Sequence, residues 1–139
     1  MQLGDTYTIR TVHATWAVVR VVSTTATQTA RIQAAFGADA CILSIYPRMF
    51  ISPPTLAKID LSLHDYRQIL AWCWNRKQKP PLIKPAHFYY RPPIPSTFQL
   101  LGTIPPLAEE ARLQALSLQG WERLIADIHQ YSDRLPQET

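Results

Sequence analysis

The run Trp16-Ala-Val-Val-Arg-Val-Val22 is dominated by β-branched residues. Such side chains pack well on a pleated surface, so this run predicts a central strand. Upstream, Tyr7 and Ile9 alternate with polar residues, which is the pattern of a strand with one buried face. His13-Ala14 lies between the two runs, where a hairpin turn is expected, although no Asn-Gly pair or similar turn sequence stands there. Residues 3–24 therefore predict an antiparallel pair of strands.

Two further runs predict strands downstream. Ala40 to Tyr46 is apolar and is stopped by Pro47, and Phe98 to Leu101 is a shorter run closed by Gly102. Residues 23–37 begin with small polar side chains and fit either a loop or a short helix that ends at a glycine. The sheet is therefore expected to gain one strand before the long middle segment of the chain and one strand after it.

Residues 61–76 fit two secondary structures. Ser62-Leu-His-Asp65 resembles a capping box, and the apolar residues that follow recur on one helical face. The run Ile69 to Trp74 fits a strand equally well. We favour a helix because the cap and the period agree. Residues 77–97 then form a long proline-punctuated connection with a short extended patch at 87–90.

The last part of the chain predicts helices. Pro106 suits a first helical position, and Glu109 and Glu110 favour the positive end of a helix dipole. Gly120 marks a break between two helices. After it, five residues recur at the spacing of one buried stripe: Trp121, Leu124, Ile125, Ile128 and Tyr131.

These elements predict one α+β domain that spans residues 1–139. The expected architecture is a curved antiparallel sheet of four or five strands, or a partly open barrel, with the C-terminal helix packed on one face. A chain of 139 residues suits a single domain and can bury a core without a metal or a disulfide.

The middle of the chain is basic and aromatic. The formal net charge is +4, and no Asp or Glu occurs between Tyr66 and Ala108. This region holds six cationic side chains: Arg67, Arg76, Lys77, Lys79, Lys84 and Arg91. The aromatic residues among them are Trp72, Trp74, Phe88, Tyr89 and Tyr90. Residues 107–139 carry six acids against three arginines, so this segment has the charge to fold back and neutralise the basic region.

Sequence motifs of enzymes are missing. No pair of His or Cys residues has the spacing of a metal site, and four scattered glycines cannot form a phosphate-binding loop. We therefore predict no catalytic residue, no metal and no cofactor. The remaining enzyme hypothesis needs the fold to bring together one histidine and three acids: His64, Asp39, Asp60 and Asp65.

The cysteines and the N-terminus predict a cytoplasmic protein. Cys41 and Cys73 lie in apolar surroundings, which favours two reduced thiols over a disulfide. The N-terminal residues lack a basic segment followed by an apolar run, so no signal peptide is expected. No apolar run approaches the ~20 residues that a membrane span needs, so no membrane partner is predicted.

Protein binding is the function that the composition favours most. Tyr, Trp and Arg concentrate binding energy at interfaces, and prolines lower the entropy lost when a loop is ordered. The predicted contact residues are Arg76, Lys77, Lys79, Lys84, Tyr89 and Arg91. The alternative is a nucleic-acid-binding module that uses the same strip, residues 76–91, for phosphate contacts and base stacking.

The order of several short motifs resembles a known family. Gly4-Asp5 opens a strand, Val19-Arg-Val21 lies inside the next, and Ile45-Tyr46 ends a third. Phe98-Gln-Leu-Leu-Gly-Thr-Ile-Pro105 follows later. Over about residues 1–110 this layout resembles bacterial immunity proteins of polymorphic toxin systems, the type with a GD…WxxIG pattern. The resemblance implies a small cytoplasmic protein that is not an enzyme and that neutralises a cognate toxin by binding it.

Overall fold

The computed structural model describes residues 2–46, 48–60, 70–73, 82–85, 88–132 and 137–138. The strands in these ranges are β1 Asp5–Arg10, β2 Trp16–Thr24, β3 Cys41–Ile45, β4 Met49–Phe50, β5 Leu70–Cys73, β6 Leu82–Pro85, β7 Phe88–Tyr89, β8 Gln99–Thr103, β9 Ser117–Leu118 and β10 Gln137–Glu138. The helices are α1 Ala30–Phe36, α2 Ala108–Ala111 and α3 Trp121–Tyr131, and 3₁₀ turns occupy Thr25–Thr27 and Leu56–Lys58.

The main sheet is built around β2, as its β-branched sequence predicts. β1 pairs with one edge of β2, and β3 and β4 pair with the other, all antiparallel. β8 lies outside β1, and β10 adds a parallel pair to β4. The prediction of an α+β fold with a mostly antiparallel sheet and a C-terminal helix is confirmed. Within the described residues the sheet is open and does not close into a barrel.

The turn between β1 and β2 forms without the usual turn residues. The Thr11 amide donates to the Thr15 carbonyl at 2.7 Å, and the two threonine hydroxyls are hydrogen-bonded at 2.7 Å. Ala14 adopts a left-handed conformation with φ of 56°. Side-chain hydrogen bonds and this unusual alanine thus replace the Asn-Gly pair, and the predicted hairpin is confirmed.

Both faces of the sheet are covered. On the first face, Val19 and Leu43 pack against Leu124 and Ile128 of α3, all of them buried. The second face lies under the segment that contains α2. Thr6 of β1 is 1% exposed on that face, so the expected pattern of one buried and one solvated face in β1 is wrong. Threonine hydroxyls are tolerated there because they donate to backbone carbonyls.

The apolar stripe of α3 was predicted correctly. Leu124 and Ile128 are buried, and Trp121 and Ile125 are half-buried against the same core. Gly120 caps the N-terminus of the helix, at the predicted break. The side chain of Tyr131 lies outside the described part of the chain.

The helix predicted for residues 61–76 is wrong at 70–73. These four residues form β5, which pairs antiparallel with β6. An apolar run this short satisfies both periods, and cross-strand pairing decides between them. The proposed cap at Ser62–Asp65 lies outside the described residues. The connection predicted for residues 77–97 also contains β6, which was not expected, and the extended patch predicted at 87–90 contains β7.

The region around α2 also differs from its prediction. Gly102 lies inside β8 rather than after it, with φ of 150° beside a register shift between β1 and β8. α2 is a single turn, and β9 follows it and pairs parallel with β7. α2 is therefore shorter than the helix that Pro106 and its acidic neighbours predict, and the chain after it pairs with β7 instead.

We expect the Asp127→Asn variant to be more stable than the wild type at pH 7 and to lose this advantage at low pH. Burial raises the pKa of the Asp127 carboxyl above its usual range, and the ion pair with Arg123 only partly opposes this effect. The folded state therefore binds the proton more tightly than the unfolded state, and the wild type loses stability as the pH rises above about 4.

Urea denaturation of both proteins at pH 4 and pH 7 measures this difference. Glu122→Gln removes the same charge from an exposed site on α3 and serves as the control. An Asp127→Asn variant that is equally or less stable than the wild type at pH 7 would contradict the expectation.

Candidate functional site

The six predicted contact residues lie in different environments. Arg76, Lys77 and Lys79 lie outside the described residues. Lys84 belongs to β6, and its backbone pairs with Ala71 of β5. Tyr89 is fully buried, whereas Arg91 is exposed. The side chain of Lys84 lies outside the described part of the chain, so Arg91 is the exposed one of the two predicted contact residues whose side chains are described.

Tyr89 must be removed from the predicted contact set because its ring is inside the protein. The Tyr89 ring lies 4.9 Å from that of Phe36, in a cluster with Val22 and Ile42. Tyr90 is also buried, and its backbone exchanges two hydrogen bonds with that of Cys41. Because this segment runs alongside β3, consecutive side chains enter the two opposite layers of the core.

Arg91 is positioned by the end of α1. Its Nε donates to the Phe36 carbonyl at 3.0 Å, where the negative end of the helix dipole favours a cation. The backbone carbonyl of Arg91 accepts a hydrogen bond from the indole N–H of Trp121. No carboxylate of the described residues lies within ion-pair distance of the guanidinium. The charge of Arg91 is therefore fixed in place and available at the surface.

β8 presents an open sheet edge. On the side away from β1, it pairs with no other strand in the ranges that the structure describes. Gln99–Thr103 carries no charge, and Leu100 is 60% exposed. Unpaired amide and carbonyl groups on an edge strand are a template for another chain, and many proteins protect such edges with lysine or proline. β8 lacks both residues along its length.

The segment 92–98 runs from Arg91, which lies beside β3, to β8 at the opposite edge of the main sheet. The ring of Phe98 lies 5.5 Å from that of Trp121 at an interplanar angle of 83°. Trp121 therefore contacts both ends of this segment. We call the edge strand Gln99–Thr103 the binding face. The sequence showed the strand, but its position at the edge and the exposure of Leu100 depend on long-range pairing.

Two acids of the C-terminal segment pair with arginines outside the basic region. Glu110 pairs with Arg20 of β2, at 2.8 Å, and Asp127 pairs with Arg123 of its own helix at 3.4 Å. Neither of these carboxylates is paired with a cation of residues 66–108. Arg91 is the one cation of residues 66–108 whose side chain is described, so the neutralisation of the basic region stays a prediction.

The described residues offer little for catalysis or metal binding. Within them, no group of three His, Cys, Asp or Glu side chains could hold a metal ion. Burial raises the pKa of the Cys41 thiol to about 12, which keeps it protonated at neutral pH. His64 and Asp65 lie outside the described residues, and Asp39 and Asp60 are exposed. Among the described helices, none is long and apolar enough to cross a bilayer.

Comparison of the chain with protein-family models, with curated proteins and with solved structures found no match.

Proposed function

We propose that this chain is a protein-binding module without enzymatic activity, and that its binding face engages the partner. The observation that carries the proposal is the uncharged edge of β8, which no described strand covers and on which Leu100 is exposed. The resemblance to immunity proteins supports a specific version, in which the partner is a cognate toxin that is neutralised in the bacterial cytoplasm.

The binding face supplies two kinds of interaction. An extended segment of the partner adds to β8 through main-chain hydrogen bonds, and Leu100 supplies buried apolar area. Arg91 lies at the other edge of the sheet, where its charge would add long-range attraction for an acidic partner. A toxin held in this way is inhibited by occlusion of its active surface. The cations of residues 76–84 would extend the same electrostatic attraction.

We expect Leu100→Lys to weaken partner binding by roughly tenfold or more without unfolding the protein. A lysine at this position charges the edge, while the exposed site tolerates the longer side chain. Val12→Lys is the matched control, because Val12 is 71% exposed on the β1–β2 turn and lies outside the binding face.

The test uses the protein encoded by the reading frame adjacent to the gene of this chain as the candidate toxin. Isothermal titration calorimetry gives the Kd, and growth of cells that express both proteins reports neutralisation. Wild type and Val12→Lys should restore growth, and Leu100→Lys should not. If Leu100→Lys protects as well as the wild type, the binding face is wrong. If the wild type neither binds the candidate toxin nor restores growth, the toxin version is wrong.

Salt dependence separates the proposal from the nucleic-acid alternative. Binding that neutralises several phosphates weakens by roughly 10³-fold or more between 50 and 200 mM salt, whereas a protein interface around an edge strand weakens modestly. A labelled 20-nucleotide RNA and the protein partner can be titrated at both salt concentrations. Steeply salt-dependent RNA binding that is unaffected by Leu100→Lys would favour the alternative.

A further inference from the structure

We propose that a cleft between the 3₁₀ turn at Thr25–Thr27 and α2 binds the C-terminal carboxylate of a peptide. The cleft is open and has a volume of about 520 Å³, within the range of ligand sites. Its lining residues are Leu3, Thr27, Gln28, Ala108, Ala111, Arg112 and Gln114. None of them belongs to the binding face, so this site is additional to the proposed function.

The first wall of the cleft is held by a side-chain amide. Nε2 of Gln33 lies 3.1 Å from the Thr25 carbonyl oxygen, 3.2 Å from that of Ala26 and 3.3 Å from that of Gln28. One NH₂ group thus lies within hydrogen-bond distance of three carbonyl oxygens of the turn. The position of Gln28 is therefore fixed before a ligand arrives, which lowers the entropy that binding costs.

The second wall is fixed by contacts to the second face of the sheet. Ser23 Oγ lies 3.1 Å from the Ala111 carbonyl oxygen and 2.8 Å from that of Leu113, so the hydroxyl donates to the chain just after α2. The buried ion pair between Glu110 and Arg20 holds α2 itself. Ala108, Ala111 and the backbone of Arg112 are thereby held against β2.

The polar groups of the cleft form a matched set. Gln114 Nε2 donates to Gln28 Oε1 at 2.8 Å, and this bond leaves the Gln28 NH₂ as a donor and the Gln114 Oε1 as an acceptor. The Arg112 guanidinium is exposed, and no described carboxylate lies within ion-pair distance of it. The Arg112 guanidinium and the Gln28 NH₂ are donors that suit a carboxylate. The Gln114 Oε1 is an acceptor that suits an N–H group of the same ligand, close to the carboxylate.

A C-terminal peptide residue has this arrangement of groups. Its carboxylate accepts from Arg112 and Gln28 in charge-assisted hydrogen bonds, and its own amide N–H donates to Gln114. Arg112 is the one charged side chain among the lining residues, so a singly charged anion is favoured. Leu3, Ala108 and Ala111 supply apolar contact for the last side chain. Inorganic phosphate offers no apolar group for that part of the cleft.

The test titrates the full chain with N-acetyl-Ala-Ala-Ala-Leu as the free acid and as its C-terminal amide. We expect the free acid to shift the side-chain NH₂ signals of Gln28 and Gln114 in ¹⁵N–¹H spectra. The amide lacks the charge, so its affinity should be lower by roughly tenfold or more. Equal binding of the two peptides, or shifts confined to other residues, would overturn the proposal.

Variants test whether Arg112 supplies the positive charge of the cleft and whether the cleft is independent of the binding face. Arg112→Gln should reduce affinity for the free acid by roughly tenfold, and Arg123→Gln, an exposed arginine on α3, should leave it unchanged. Leu100→Lys should also leave it unchanged, whatever its effect on the protein partner. Retained affinity in Arg112→Gln would overturn the assignment.

Acetate and N-acetyl-leucine distinguish the sources of the carboxylate. A peptide site predicts that acetate binds more weakly than N-acetyl-leucine, which in turn binds more weakly than the tetrapeptide, because each step adds apolar contact and an amide. Acetate that binds as tightly as the tetrapeptide would show a general anion site and overturn the peptide assignment.

Discussion

Glu110→Ala is expected to lower the free energy of unfolding by about 3–5 kcal/mol, because it leaves a buried charge without a partner. Arg20 is 4% exposed, and its Nη2 lies 3.1 and 2.8 Å from the two carboxylate oxygens of Glu110. Glu110 Oε1 also accepts from the Leu107 amide at 2.9 Å. The substitution therefore removes both the counter-ion of Arg20 and a hydrogen-bond partner at the start of α2.

Urea denaturation followed by circular dichroism measures this loss, and Glu109→Ala is the matched control on the exposed side of the same turn. The double variant Arg20→Met/Glu110→Leu should recover most of the stability, to within about 2 kcal/mol of wild type, since no charge is then buried. Arg20 Nε has no hydrogen-bond partner in the described structure, so removing this atom loses no hydrogen bond. A Glu110→Ala variant no less stable than Glu109→Ala would contradict this account.

Gly4→Ala is expected to cost about 2–4 kcal/mol, from a left-handed backbone and a clash that cannot relax. Gly4 has φ of +87°, and a Cβ there would lie 2.6 Å from the Ile104 carbonyl oxygen. The backbone is held on both sides, because the Gly4 amide donates to the Val21 carbonyl and the Gly4 carbonyl accepts from the Ile104 amide. Neither neighbour can move without breaking the sheet.

Gly120→Ala provides the comparison within the same chain. A Cβ at Gly120 would meet no atom within 4 Å, and φ there is −75°, which any residue adopts. We therefore expect Gly120→Ala to stay within about 1 kcal/mol of wild type, the usual range of an N-cap change from glycine. Similar losses of stability in the two variants would show that the geometry at Gly4 is not the cause.

The parts of the fold that sequence predicts are those governed by one strong local pattern. The β-branched run from Trp16 to Val22 forms β2, and the apolar stripe with Leu124 and Ile128 faces the core from α3. The residues before Gly37, whose sequence fits either a loop or a short helix, form α1, which Thr29 caps by accepting from the Ile32 amide. In each case, periodicity and end residues agree with the tertiary environment.

The predictions that failed depend on residues far apart in the chain. Leu70–Cys73 pairs with Leu82–Pro85, and a short apolar run does not reveal such a partner. Tyr89 enters the interior because its segment lies beside β3, which no pattern within residues 87–90 indicates. The open edge of β8 and the cleft beside α2 likewise arise from pairing and docking, so neither has a local sequence signal.

The pairing of β1 with β8 has a consequence for synthesis. Asp5 and Thr103, whose side chains are hydrogen-bonded, stand 98 positions apart, so in a chain growing on the ribosome one edge of β1 stays open until β8 is made. Such a high contact order slows folding and leaves an unpaired edge open to misassembly during translation. Chaperone dependence at high expression levels is the outcome that this topology leads us to anticipate.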